Sequence, residues 1–219
     1  MKKAKSILII IALTVGIVFG IHCISGGNTD GHITVRNSKL PDHLMLVNAW
    51  NEIDDDYNFE TVTLTNGEII NELIYPDLQK MFNDARNLGI DPVVTSGYRT
   101  TDKQQELYDE KVNAYLNEGY SKKEAEKEAN KWVALPGYSE HHTGLAVDIN
   151  ARKGSSEKVY QWLEKNCYKY GFILRYPYGK TEITGINYEP WHFRYVGYDA
   201  AEYIYENNLT FEEYIEEIY

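Results

Sequence analysis

Two adjacent histidines, His141 and His142, stand a short way before Asp148, and a third, His192, follows Glu189 by three residues. Imidazole nitrogens and a carboxylate are the donors of a catalytic zinc centre, which takes three protein ligands and keeps a fourth position open. A further carboxylate nearby can serve as base. The spacing from a histidine to an aspartate is weak evidence alone, because a loop histidine and a strand-end aspartate would read the same way. The flanking residues add to it. Asp148 sits between Val147 and Ile149, and an ionised group near the core is costly unless it is paired or bound to metal. Gly144 and Ala146 are small and would leave space beside a metal or substrate. Pro190 keeps Glu189 extended, which could deliver base and ligand to one cleft. An exposed loop carboxylate would fit Glu189 as well, and His142 reads as a neighbour of the ligand or a surface residue.

The elements that must position these residues can be read from periodicity and turn chemistry. Thr61–Leu64 alternates like a short strand and ends in the turn Thr65-Asn66-Gly67. Pro76 suits the first turn of a helix running to Leu88, with Gly89 closing it. Pro92–Thr95 reads as a strand leading into Ser96-Gly97-Tyr98-Arg99. Thr101 with Gln104, Ser121 with Glu124, and Thr210 with Glu213 match the capping box, which starts three helices. The charged run Lys122–Glu128 reads as a solvated helical face. A helix is expected over residues 155–170, stopped by Gly171, and strands over Phe172–Tyr176 and Trp191–Val196. Helices early and late with short strands between predict an α+β domain built on a small antiparallel sheet.

The chain has 219 residues and a formal charge of −11, enough for one domain and contrary to nucleic-acid binding, which needs clustered Lys and Arg. Its 19 tyrosines and four tryptophans predict a core and cleft rich in rings with polar tips. Residues 1–25 carry a basic start followed by an apolar run, the layout of an export signal. No clean small-residue cleavage site follows. An uncleaved anchor holding the domain outside the cytoplasmic membrane is the preferred reading, with secretion the outcome if it is cleaved. Residues 26–39 read as a tether and 40–219 as the domain. Cys23 and Cys167 form no Cys-x-x-Cys pair, which excludes a thiolate zinc site; Cys167 reads as a small buried residue.

Ser139-Glu140-His141 continuing through Gly144 and Ala146 to Asp148, with Glu189-Pro190-Trp191-His192 and Ser96-Gly97-Tyr98-Arg99, resembles the VanY-type D-alanyl-D-alanine carboxypeptidases. These belong with VanX and the hedgehog N-terminal domain. The likeness runs from about Leu46 to Tyr219 and includes Tyr170–Pro177 and Ile183-Thr184-Gly185. It implies a LAS/hedgehog-like zinc peptidase fold, Zn²⁺ held by His141, Asp148 and His192, and Glu189 as general base. It also implies that Arg99 contacts the substrate carbonyl or carboxylate, with Ser96, Tyr98, Gln104 and Ser139 shaping the same pocket; for Gln104, helix capping is an equal alternative. His142 departs from the glutamine common in such relatives, and motif register selects His141 as the ligand. The implied activity is removal of terminal D-Ala from peptidoglycan stem peptides by a monomer. An L,D bond in tetrapeptides is the alternative substrate, and a zinc-bearing module that binds wall peptides without cleaving them is the alternative class.

Overall fold

A computed structural model describes residues 32–35, 37–54 and 56–218. The predicted export segment lies outside these residues; among them no helix is long and apolar enough to cross a membrane. Strands β1 (Thr61–Thr63) and β2 (Ile69–Asn71) form an antiparallel hairpin. Its turn needs glycine, because Gly67 takes φ +92°. Helix α1 (Tyr75–Asn87) starts with proline in its first turn and ends at a left-handed Gly89. It leads to β3 (Pro92–Ser96), and then α2 (Thr101–Asn117) and α3 (Lys122–Ala129) pair as a helical hairpin. Next come β4 (Ala146–Ala151), α4 (Glu157–Asn166), β5 (Phe172–Leu174), the short α5 (Thr181–Thr184) and β6 (His192–Tyr195). Helices α6 (Tyr198–Asn207) and α7 (Phe211–Ile218) close the chain.

The main sheet runs β3-β4-β6-β5 with every neighbouring pair antiparallel. Period-two alternation gives it two different faces. Val147 and Ile149 of β4, Phe193 and Tyr195 of β6, and Phe172 of β5 point into a core closed by Leu78, Met81 and Phe82 of α1 and Val159 and Leu163 of α4. Cys167 is buried in that core, as read from the sequence. Asp148, His192 and Arg194 take the opposite parity. A second cluster, built from Ile173, Val196, α6 and α7, buries Leu44 and Leu46.

Beyond element ends that fall short of the expected bounds (α3 at Ala129, β5 at Leu174), three details differ from the sequence reading. Residues 32–35, inside the stretch read as a tether, lie against the domain. There Ile33 and Val35 pack on the second cluster, and Asn51 bonds the backbone of both. The cap of α2 is Thr100, not Thr101: its side chain accepts from the Lys103 N–H, while the Gln104 amide turns away to the Ala134 carbonyl at 2.7 Å. The helix expected over 155–170 stops at Asn166 and tightens into a 3-10 turn, Cys167–Tyr170. The boxes at Ser121 and Thr210 form as read.

Candidate metal centre

Strand register builds the centre. Ser96 of β3 pairs with Asp148 of β4, and Asp148 pairs with His192 of β6, so three polar side chains line one row across the sheet. His192 closes a tight turn in which its N–H donates to the Glu189 carbonyl at 3.2 Å. That turn explains the three-residue spacing. His141 arrives on a 3-10 turn, Glu140–Thr143, which ends at Gly144 with φ +65°. A Cβ on Gly144 would lie 2.7 Å from the Phe59 ring and 2.8 Å from the Asn71 nitrogen. Glycine is therefore required by backbone conformation and close approach. Neither Gly144 nor Ala146 lines the cavity, so neither leaves room beside a metal.

One donor atom each from His141, Asp148 and His192 lies within 4.8 Å of the other two. His141 Nδ1 stands 2.7 Å from the Gly97 carbonyl, which only an N–H can satisfy, so its Nε2 lone pair faces Asp148 Oδ2 at 3.6 Å. His192 uses the other nitrogen: its Nδ1 is 3.3 Å from Asp148 Oδ1 and 3.6 Å from Glu189 Oε2. His141 Nε2 and Asp148 Oδ1 are buried without a hydrogen-bond partner, a state that burial penalises unless another group takes them up. Two imidazoles and one carboxylate converging in this way fit Zn²⁺.

The electrostatics agree. Burial lowers the His141 pKa to about 4 against the pull of Asp148, which keeps its lone pair free at neutral pH. At His192 burial acts in the same direction, but the Asp148 and Glu140 carboxylates outweigh it and raise the pKa to about 9. The two histidines shift oppositely because the carboxylates crowd around His192, and that crowding favours positive charge there, carried by the Nδ1 proton unless a cation takes its place. Glu189 is pushed up to about 7 by burial, partly offset by the positive charge near it, so it exchanges a proton readily near neutral pH.

The centre forms one wall of a cavity of about 550 Å³. Arg99, Gln104, Ser139 and Glu189 line it with the three ligand candidates, and Trp132, Ile186 and Trp191 add apolar walls. Arg99 donates from Nη2 to Asp148 Oδ2 at 2.7 Å and from Nε to the Ser96 hydroxyl at 2.8 Å, with Gln104 Oε1 at 3.4 Å from Nη1. Ser96 and Tyr98 do not line the cavity: Ser96 holds Arg99, and the Tyr98 ring lies edge-on to Phe59. His142 is neither a ligand nor a bystander. Its Nε2 accepts from the Gly137 N–H at 3.1 Å, which puts the proton on Nδ1, 2.8 Å from the Arg99 carbonyl. Each histidine thus staples the loop that carries Arg99.

A group that sequence reasoning did not single out lies behind His192. Glu140, Arg175, Arg194 and Glu212 form a buried ion network. The parity of Arg194 with His192 along β6 was the available signal, since residues two apart on a strand share a face.

A family model described as "VanY: D-alanyl-D-alanine carboxypeptidase" matches residues 67–198. A D-alanyl-D-alanine carboxypeptidase of Enterococcus faecalis is 53% identical over 174 residues, covering 78% of this chain and 65% of that protein. The chain spans about half to two thirds of the length of the curated relatives most similar to it. Among solved structures, VanYB in complex with D-alanine-D-alanine aligns with a TM-score of 0.79 at 52% identity, covering 81% of this chain and 99% of that one. A mutant of the vancomycin-resistance D,D-pentapeptidase VanY in complex with Zn(II) aligns with a TM-score of 0.78 at 52% identity, over 80% of this chain and 99% of that one. The chain therefore belongs to the VanY family of D-alanyl-D-alanine carboxypeptidases.

Proposed function

We propose that this chain is a zinc metallopeptidase that removes the terminal D-Ala from the D-Ala-D-Ala end of peptidoglycan stem peptides. The observation that carries the reading is the convergence of His141, Asp148 and His192, with Glu189 3.6 Å from His192, in the wall of one cavity. His141 Nε2, Asp148 Oδ1 and His192 Nδ1 would hold the metal. When bound, zinc supplies a Lewis acid that polarises a carbonyl and brings the pKa of water towards about 7.

The rest is work for the protein's own groups. Glu189 accepts a proton from the attacking water and returns it to the amine nitrogen as the C–N bond breaks. Burial pushes its carboxyl above the ordinary range, which favours taking up that proton. Arg99 is a fixed cation in the cavity wall, and it meets the negative oxygen of the substrate. Ser139 and Gln104 offer hydrogen bonds to the peptide, and Trp132, Ile186 and Trp191 exclude water around its methyl groups. The likeness to a structure holding D-alanine-D-alanine favours a D,D bond over an L,D bond.

The basic-then-apolar residues 1–25 support an exported enzyme, anchored at the membrane or secreted if that segment is removed. The test is to incubate the zinc-loaded chain with equimolar tetrapeptide and pentapeptide stems and identify the products by mass. Loss of one alanine from the pentapeptide alone is the expected result. Loss from the tetrapeptide instead would make it an L,D-carboxypeptidase, and no cleavage with zinc bound would leave a binding module.

A further inference from the structure

Arg175 and Arg194 are fully buried, and Glu140 and Glu212 are 1% and 3% exposed. Buried ion networks of this kind are commonly no more stable than apolar residues of the same volume, so stability alone does not account for these four. Their contacts leave one oxygen over. Glu140 Oε1 accepts from Arg175 Nε at 2.8 Å and from Arg194 Nη1 at 2.9 Å. Glu212, carried in by α7, takes both terminal nitrogens of Arg175 at 2.9 and 2.6 Å and the Asn48 amide at 3.0 Å. Arg194 directs Nε to the Tyr195 carbonyl and Nη2 to the Met45 and His43 carbonyls. Glu140 Oε2 is buried without a partner, and 3.6 Å away lies His192 Nε2, also buried without one. Two unsatisfied atoms of complementary kind thus face each other, just beyond the 2.7–3.2 Å of a hydrogen bond.

We propose that Glu140 is a positioning residue for the metal centre: its Oε2 accepts the Nε2–H of His192, fixing the tautomer that turns Nδ1 towards the metal. Arg175 and Arg194 pin Oε1 and so aim Oε2, and Glu212 balances the second guanidinium charge. His141 is treated the same way in mirror fashion, its Nδ1–H pinned by the Gly97 carbonyl at 2.7 Å. Acceptors placed behind ligating imidazoles set ring orientation and basicity, and losing one typically weakens metal binding about 10–100-fold. The inference rests on His192 being a ligand, as the proposed function has it.

The test is Glu140→Gln. The glutamine carbonyl can still accept from both arginines, but its NH₂ then faces His192 Nε2 and draws the imidazole proton round to Nδ1. Zinc affinity, measured by chelator competition, should fall about 10–100-fold, and the visible spectrum of the Co²⁺-substituted protein should change. Glu212→Gln removes the same unit charge from the same network without touching His192, so it should lower stability and leave affinity and spectrum as in the wild type. Wild-type affinity in Glu140→Gln, or an equal loss in both variants, would overturn the proposal. Should Glu140→Gln not fold, nitrogen-15 NMR of the zinc-loaded wild type decides: His192 must carry its proton on Nε2, and a proton on Nδ1 refutes the assignment. His192→Ala is the separate check on the ligand itself. Unchanged zinc affinity there would sink the metal-site reading, whatever Glu140 does.

Discussion

Arg99→Met separates two roles that one guanidinium could play. The side chain makes a 2.7 Å charge-assisted bond to Asp148, a 2.8 Å bond to Ser96 and a longer one to Gln104. If it served only to hold Asp148, its loss would disturb the metal ligand, and zinc binding and turnover would decline together. The cavity geometry says otherwise, because Arg99 lies on the wall beside Glu189 and the ligands. Removing a positive neighbour from Asp148 also leaves that carboxylate a stronger partner for a cation. The variant should therefore keep its zinc. A lost oxyanion stabiliser costs about 2.7–4 kcal/mol, or 10²–10³ in rate, and a lost hydrogen bond to a charged group about 1.5–3 kcal/mol. Together they set the fall in kcat/KM between about 10-fold and 10³-fold. The assay is steady-state alanine release from pentapeptide, run beside zinc content by atomic absorption on the same sample. Turnover within tenfold of wild type, or zinc lost in step with activity, would refute the reasoning.

Glu189→Gln should retain zinc while kcat falls about 10²–10⁴-fold, read by the same paired assay; retained turnover would remove Glu189 from the mechanism. His142→Gln should leave kcat/KM near wild type, since an amide offers the same donor to Arg99 and acceptor to Gly137 as the neutral imidazole. His142→Ala leaves both backbone groups unpaired and should lower the unfolding free energy by about 1–3 kcal/mol in urea titration. Acid should destabilise the chelated protein through Glu140. Burial acts to raise its pKa, but Arg175 and Arg194 outweigh burial and hold it well below the ordinary 4.5. A carboxyl depressed on folding contributes stability above its unfolded pKa and loses it as pH falls towards the folded value. Through Glu140 the urea midpoint should fall as the pH drops below about 4.5, and Glu140→Gln should flatten that limb relative to the wild type; an acid limb equally steep in both proteins would contradict this.

The ligand candidates were legible because their chemistry is local: His141 and Asp148 lie in one short stretch, and His192 and Glu189 are the two ends of a single turn. The strand at Thr61, the turn at Thr65-Asn66-Gly67 and the boxes at Ser121 and Thr210 were legible for the same reason, whereas the returning strand Ile69–Asn71 was not read. What escaped depends on distant partners. Thr100 and Thr101 are equivalent as caps until the Ala134 carbonyl draws Gln104 away. Helix α6 begins at Gly197 with no side-chain cap bond, and its tyrosines and isoleucine favour strands as readily as helices, so no start signal marked it. Glu140, Arg175, Arg194 and Glu212 are spread over the chain, and nothing in their local sequence pairs them. Only the sheet parity and the return of α7 bring them behind His192.

The central claim is that His141, Asp148 and His192 hold one zinc that the reaction requires. The direct measurement is alanine release from pentapeptide while zinc is titrated into the chelated protein. Activity should start at zero and saturate at one zinc per chain in the wild type, and it should stay absent at that stoichiometry in Asp148→Ala. Activity that survives chelation, or saturates alike in Asp148→Ala, would contradict the account.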